Sequence, residues 1–496
     1  MLAIVSCPNG NSGGGDGGGA TKKFWAQNAV TNTFYQLEAE KLAEGSKCVV
    51  WAEKGSGVTA ATAKKFTDEY DNNIYTKMIN VFSWEENIQL TNGHFKKMNT
   101  MEYAHALATG SMYGAKLTIL LLDIKDGYKK GENESYVAGY FWPYDFFPET
   151  NVPQGFKTNV LDMIYININP GFNNEAEIND AYKTLAHEMQ HLMNFTSSVQ
   201  YRINNNMIYP MDLWIDEGLS SAAEWVYSGK HSESRVEWFK NNGAITTDGN
   251  NITGKIDVGN NFYVWNNRVS DSDPYPVLDD YATVYLFFQW LRLQSGGDIY
   301  KEIIKSPYPY YNQQAVINAF NAKKTSGSNY SNWESMLRDW LVANIANSSS
   351  DRSGYMNDPA LKSIKAPYAP ETPTTLGLYP GEGVYSYKDT APSFPDTGKI
   401  KYEYLPGIKT LLTYNSNPLN YVSQGTNIDT LIENGATTGQ KPSVNIIMSG
   451  NFDIKLGSSV ISGPFPIGIG DVIRVNNNGN RIIFNSLPLI RALIDE

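Results

Sequence analysis

Three residues of this chain stand at a spacing that can do chemistry: His187, Glu188 and His191, within Thr184-Leu-Ala-His-Glu-Met-Gln-His-Leu-Met-Asn194. On a helix, residues four apart share a face and lie about 5–6 Å from each other, so both imidazoles can turn to one ion. A carboxylate beside the first histidine is badly placed to join the same coordination triangle. It can, however, reach a water on that ion and take its proton. Such a five-residue spelling also arises by chance on surface helices. The rest of the chain must therefore supply a third ligand and the elements that hold the set.

Those elements are legible from periodicity. Residues 33–41 and 47–53 flank Gly45-Ser46 and read as a hairpin. Phe66, Tyr70, Ile74, Met78 and Phe82 recur at helical spacing across 60–82. Strands are expected at 116–124, 136–147 and 159–168, the last with Ile164, Ile166 and Ile168 at period two before Asn169-Pro-Gly171 stops it. A small mixed sheet thus leads into the motif helix, expected over 175–195 with Ala181, Leu185, Met189, Leu192 and Phe195 inward. A second helix fits 212–229, and further helices fit 280–293, 298–305, 312–323 and 333–347. Pro367, Pro370 and Pro373 mark a boundary, after which short apolar segments between Gly, Pro and Asn clusters read as a small all-β domain. The expected class is α+β: a zincin-like unit over 21–365, preceded by a leader and tether over 1–20 and followed by a β domain over 366–496.

Zinc needs three protein ligands and an open fourth position. The chain has five histidines: His94, His105, His187, His191 and His231. A metzincin would require glycine three residues after His191 and histidine six after; Asn194 and Ser197 stand there, which excludes that class. The other common solution is a glutamate on a following helix, as in thermolysin-like enzymes. Trp214-Ile-Asp-Glu-Gly218 offers Glu217, with Gly218 beside it to let helix backbones approach; residues 192–216 leave ample chain for the return. Asp216 is the rival ligand. Glu217, Ser221 and Glu224 share a helical face, so Glu224 either hydrogen-bonds a ligand histidine or is a surface carboxylate.

His187-Glu188-Met-Gln-His191 together with Trp214-Ile-Asp-Glu217-Gly218 resembles the gluzincin metallopeptidases, and within them the hyicolysin family of secreted bacterial zinc proteases. Asp280-Tyr-Ala-Thr-Val-Tyr-Leu-Phe-Phe288 and Met336-Leu-Arg-Asp-Trp-Leu-Val-Ala-Asn344 look similar to later family segments, so the likeness spans residues 34–347. It implies peptide hydrolysis with one zinc ion on His187, His191 and Glu217, and Glu188 as general base. It also implies a tyrosine donor to the oxyanion on a later helix: Tyr281, with Tyr285 or His231 as alternates among 32 tyrosines and five histidines. In zinc peptidases an edge strand beside the motif helix holds the substrate backbone, so an exposed edge is expected. The aminopeptidase N pattern Gly-x-Met-x-Asn has only Gly139-Tyr-Phe-Trp-Pro143 as a counterpart, which favours endopeptidase activity.

Composition sets the surroundings. With 40 Lys+Arg against 51 Asp+Glu the formal charge is −11, which argues against nucleic acid or anionic membranes as partners. The longest apolar run, 117–122, is far short of a bilayer span. Of the two cysteines, Cys48 reads as a buried thiol. Cys7 follows Leu2-Ala-Ile-Val-Ser6 and precedes Gly13-Gly-Gly-Asp-Gly-Gly-Gly19, resembling a lipobox and flexible tether. The expectation is an exported protein, lipid-anchored or secreted, monomeric and acting on proteins or peptides. Calcium is suggested by the Asn- and Asp-rich stretch 241–261 but no recognised loop spacing supports it. The competing class is a non-catalytic surface lipoprotein that binds a host or matrix component.

Overall fold

A computed structural model of the chain describes residues 20–82, 116–130, 136–146, 149, 152, 155–205, 211–240 and 277–306. It further describes 312–369, 377–393 and 400–417, with the short pieces 244–245, 251–252, 256–260 and 262–263. Beyond these come the strand segments 433–434, 451–456, 459–464, 473–475, 481–483 and 490–491. Cys7 and its tether, His94, His105 and most of 241–261 lie outside the described residues.

The sheet is built from β1 (Thr21–Asn28), β2 (Thr33–Glu44), β3 (Cys48–Glu53), β4 (Leu117–Leu122), β5 (Gly139–Tyr140) and β6 (Met163–Asn167), in the spatial order β1-β2-β3-β4-β6-β5. The β1/β2 and β2/β3 pairs are antiparallel, β3/β4 and β4/β6 parallel, and β5/β6 antiparallel. This is the mixed sheet that periodicity implied, with the hairpin at Gly45-Ser46. β4 sits between two parallel neighbours and β6 between parallel β4 and antiparallel β5, and both strands are covered on both faces. Accordingly every residue of β4 and of β6 is buried, so the period-two isoleucines do not alternate between core and water.

Two expectations about the sheet are corrected. The strand expected over 136–147 shrinks to Gly139–Tyr140, because Pro143 has no amide for a ladder and opens a 3-10 turn, Pro143–Phe146. The edge expected to be exposed beside the motif helix is paired: β5 carries Ile490–Arg491 antiparallel on its outer side. The sheet also gains β1, whose exposed Thr21-Lys22-Lys23 start hides its strand character from a pattern search.

The helix expected over 60–82 is two helices, α1 (Ala60–Glu69) and α2 (Tyr75–Phe82), joined by the π turn Tyr70–Ile74. The reason is arithmetic. Apolar residues spaced by four drift about 40° per step on a 3.6-residue helix, and one widened turn brings the stripe back. Phe66, Tyr70, Ile74, Met78 and Phe82 are consequently all buried.

Against the sheet lies the motif helix, Glu175–Asn205, about three turns longer than expected at its C-terminal end. It packs close to β5: a Cβ on Gly139 would stand 2.8 Å from Thr184 Cγ2 and 2.8 Å from the Tyr165 carbonyl oxygen. Leu185, Met189 and Leu192 are buried as expected. Behind it come the helices Leu213–Ser228, closed by Gly229 at φ 68°, then Glu233–Phe239, Val277–Ser295, Ile299–Ile304, Gln313–Lys323 and Trp333–Ala346. Trp214, Phe262, Phe287, Trp333 and Trp340 form an aromatic cluster among them. None of the helices among the described residues is long and apolar enough to cross a membrane.

Among the described residues after 369, the elements are strands and one 3-10 turn, Pro406–Ile408. Gly383–Tyr387, Thr410–Asn415 and Ile400–Leu405 form an antiparallel sheet with Thr410–Asn415 central. It rests on the last helix: Tyr385 donates to the Leu341 carbonyl at 2.7 Å, and Arg338 Nε donates to Glu403 at 2.8 Å.

Candidate metal centre

The motif helix turns His187 and His191 toward the helix Leu213–Ser228, and both imidazoles are fully buried, with ring centroids 4.7 Å apart. Ligand-capable atoms of His187, Glu188 and His191 lie within 4.8 Å of one another. From the facing helix Glu217, also fully buried, brings Oε2 to 3.4 Å from His187 Nε2 and 3.5 Å from His191 Nε2. Neither Nε2 has a hydrogen-bond partner. Burying two imidazole nitrogens without a partner is costly unless something is bound there.

The spacing itself is informative. Ligand atoms about 2.0–2.2 Å from a tetrahedral ion lie about 3.3–3.5 Å from each other. The two nitrogen–oxygen separations match that figure, and they are too long for good hydrogen bonds. The residues present therefore fit a tetrahedral divalent ion with an N, N, O donor set.

The far sides of both rings are held. His187 Nδ1 lies 2.8 Å from Glu224 Oε1, the carboxylate accepting from the ring N–H. His191 Nδ1 lies 2.9 Å from Asp216 Oδ1 and 2.7 Å from Ser220 Oγ. Asp216, the rival ligand, is thus behind a histidine, and Glu224 takes the buried role of the two open to it. A donor bond on Nδ1 fixes the tautomer in which Nε2 carries a lone pair. Asn194 donates to Asp216 at 2.7 Å and accepts from Gln190 at 2.6 Å, extending this support along the motif helix.

Charge follows the same geometry. Burial pulls the His187 pKa down, but the Glu217 and Glu224 carboxylates outweigh it and raise it to about 9. Burial opposes the charged form of Glu224, yet Arg235 and His187 hold its carboxyl below the usual range. Arg235 was not foreseen from the sequence. It lies on a short helix with no spacing that relates it to the motif, and only the fold brings Nη2 to 2.7 Å from Glu224 Oε1 and Nη1 to 2.8 Å from Ser221. Ser220, Asn194 and Gln190 were also missed. A search for polar residues three positions beyond His187, His191 and Glu217 would have found all three, Gln190, Asn194 and Ser220.

Of the three oxyanion-donor candidates, only Tyr281 has its hydroxyl beside the cluster, 3.4 Å from Glu217 Oε1. Tyr285 accepts from the Ser232 amide at 3.0 Å and meets His231 Nδ1 at 2.8 Å, so these two alternates engage each other. Burial drives the Tyr285 hydroxyl pKa up and the His231 pKa down. Gly218 serves a partner other than the motif helix: an added Cβ would stand 2.2 Å from Phe288 Cε2, so the helix Val277–Ser295 seats its ring there. That contact brings Tyr281, on the same helix, over the site.

Compared with known proteins, the chain is similar to a metalloprotease. That relative is the neutral metalloprotease ShpI of Staphylococcus hyicus, 27% identical over 374 residues, which cover 75% of this chain and 72% of the relative. No protein-family model matches the chain.

Proposed function

We propose that the protein is a zinc-dependent endopeptidase of the gluzincin type, built on a zincin-like domain and acting on extracellular proteins or peptides. The observation that carries this reading is the convergence of His187 Nε2, His191 Nε2 and Glu217 Oε2 at 3.4–3.5 Å, with Glu188 beside them. The similarity to a neutral metalloprotease supports it.

In this reading His187, His191 and Glu217 hold the ion. When bound, zinc supplies Lewis acidity, which acidifies a water molecule and polarises a carbonyl. Glu188 accepts the proton of the attacking water and delivers it to the leaving amine, so that one carboxylate serves as base and then acid. Tyr281 donates its phenol hydrogen to the oxygen that gains charge as the carbonyl is attacked. Glu224 and Asp216 keep the two imidazoles in the tautomer that presents Nε2. Burial of the whole set excludes bulk water, which strengthens each of these interactions.

Export fits the lipobox-like segment ending at Cys7, with the glycine tether letting an anchored enzyme reach substrate. The test is zinc content by elemental analysis, together with hydrolysis of a general protein substrate before and after Glu188→Gln. The expected result is one zinc per chain in both proteins and hydrolysis by the wild type alone. Zinc without hydrolysis across varied substrates would move the reading to a surface protein that binds without cutting.

A further inference from the structure

We propose that Arg235 is a positioning residue for two of the three metal-holding groups, setting His187 through Glu224 and Glu217 through the ring of Tyr281. This rests on the reading that His187, His191 and Glu217 hold zinc.

Three observations carry it. First, Glu224 Oε1 receives both Arg235 Nη2, at 2.7 Å, and His187 Nδ1, at 2.8 Å, so one oxygen joins the guanidinium to the ligand ring. Second, Arg235 Nη1 reaches Ser221 Oγ at 2.8 Å, and Ser221 and Glu224 lie one and two turns beyond Glu217 on the same helix. The guanidinium therefore braces the helix face that presents the glutamate. Third, its centre stands 5.0 Å from the ring centroid of Tyr281, whose hydroxyl is 3.4 Å from Glu217 Oε1. Arg235 is only 8% exposed. A buried arginine with both amino groups spoken for and an aromatic ring on its face is held in one orientation.

The chemistry of the group matters. Lysine could neutralise Glu224 but cannot bond Ser221 and Glu224 together as a planar fork while facing a ring. Without the fork, Glu224 Oε1 keeps a buried charge with one donor fewer. Its hold on His187 Nδ1 then loosens, and the Nε2 lone pair is no longer aimed.

The experiment measures zinc affinity by chelator competition for wild type, Arg235→Lys, Glu224→Gln and the double variant. Metal-free and zinc-loaded unfolding, and the visible spectrum of the cobalt-substituted proteins, are followed in parallel. The expected result is about 10–100-fold weaker zinc binding for each single variant. The double variant should be no weaker than Arg235→Lys alone, because losing the guanidinium fork already frees Glu224. The cobalt spectrum of Arg235→Lys should shift. Unchanged zinc affinity, or equal losses of metal-free and zinc-loaded stability with an unaltered cobalt spectrum, overturns the inference. Additive losses in the double variant also overturn it. Should Arg235→Lys fail to fold, Glu224→Gln and Ser221→Ala decide, and wild-type affinity in both sinks the idea. A wild-type protein that takes up no zinc fells the metal reading itself; zinc on the wild type with equal affinity in the variants fells only the role of Arg235.

Discussion

Two buried polar clusters, one at the sheet and one between helices, differ in that only the first is closed. At the sheet, Asp145 accepts from the Asn159 amide and the Tyr165 hydroxyl, each at 2.6 Å. Asn159 in turn bonds both backbone groups of Trp25 and the Tyr165 hydroxyl. At the helices, the two histidine Nε2 atoms point toward one carboxylate oxygen at separations too long for good hydrogen bonds. Both clusters are buried and both contain carboxylates, so neither burial nor charge distinguishes them. What separates structure from site is satisfaction: a polar cluster whose bonds all close within the chain ties strands together, whereas one left open at converging donors has room for an ion.

The sharpest way to break that contrast is Glu188→Gln, expected to lower kcat by about 10²–10⁴-fold while zinc stays at one per chain. Steady-state hydrolysis with metal analysis measures both. Next is the pair Glu217→Ala and Asp216→Ala. The first should abolish zinc occupancy and the second should weaken affinity about 10–100-fold, since it removes support behind His191. Full occupancy in Glu217→Ala with loss in Asp216→Ala would reverse the ligand assignment. In the closed cluster, Asn159→Ala should cost about 1–3 kcal/mol in urea unfolding and leave zinc stoichiometry unchanged.

The closed cluster also has a signature in pH. Burial pushes the Asp145 carboxyl up to about 7, against the bonds from Tyr165 and Asn159 that favour its charge. The folded protein then keeps a proton that the unfolded chain releases near the ordinary value of 3.8. Between those values the native state binds more protons, so the contribution of Asp145 to stability is largest at acid pH and falls as pH rises toward 7. Unfolding free energies across that window should show the slope, and Asp145→Asn should remove it.

How much of this could be read beforehand depended on whether a residue acts along its own helix or across the fold. His187, Glu188 and His191 are related by spacing within one helix; Glu217 was reached from the need for a third donor on a following helix, although the glycine beside it meets Phe288 and not the motif helix. The first three are a local relation; the fourth is a relation between two helices, which bring Glu217 Oε2 to 3.4–3.5 Å from the two Nε2 atoms. Arg235 is related to His187 only through tertiary packing, so no period or spacing pointed to it. The helices from 277 to 346 were placed within a few residues because turn and capping residues mark their ends. The strand at 136–147 was overestimated because aromatic residues that favour strands pack equally well in the turn that Pro143 forces. The alternation at 164–168 suggested a half-exposed strand, yet its place in the middle of the sheet, which local pattern cannot report, buried both faces.

The meeting of Gly139 with Thr184 has a mechanical consequence. One hydrogen atom serves as the spacer between the short strand Gly139–Tyr140 and the helix that carries His187 three residues beyond Thr184. With so thin a bearing, the strand and the helix turn that holds His187 register as one body. A push on the sheet margin is thereby passed to the imidazole instead of being absorbed by a cushion of side chains. A methyl group at 139 would act as a shim, and its effect would be read in the surroundings of His187 before it was read in the sheet.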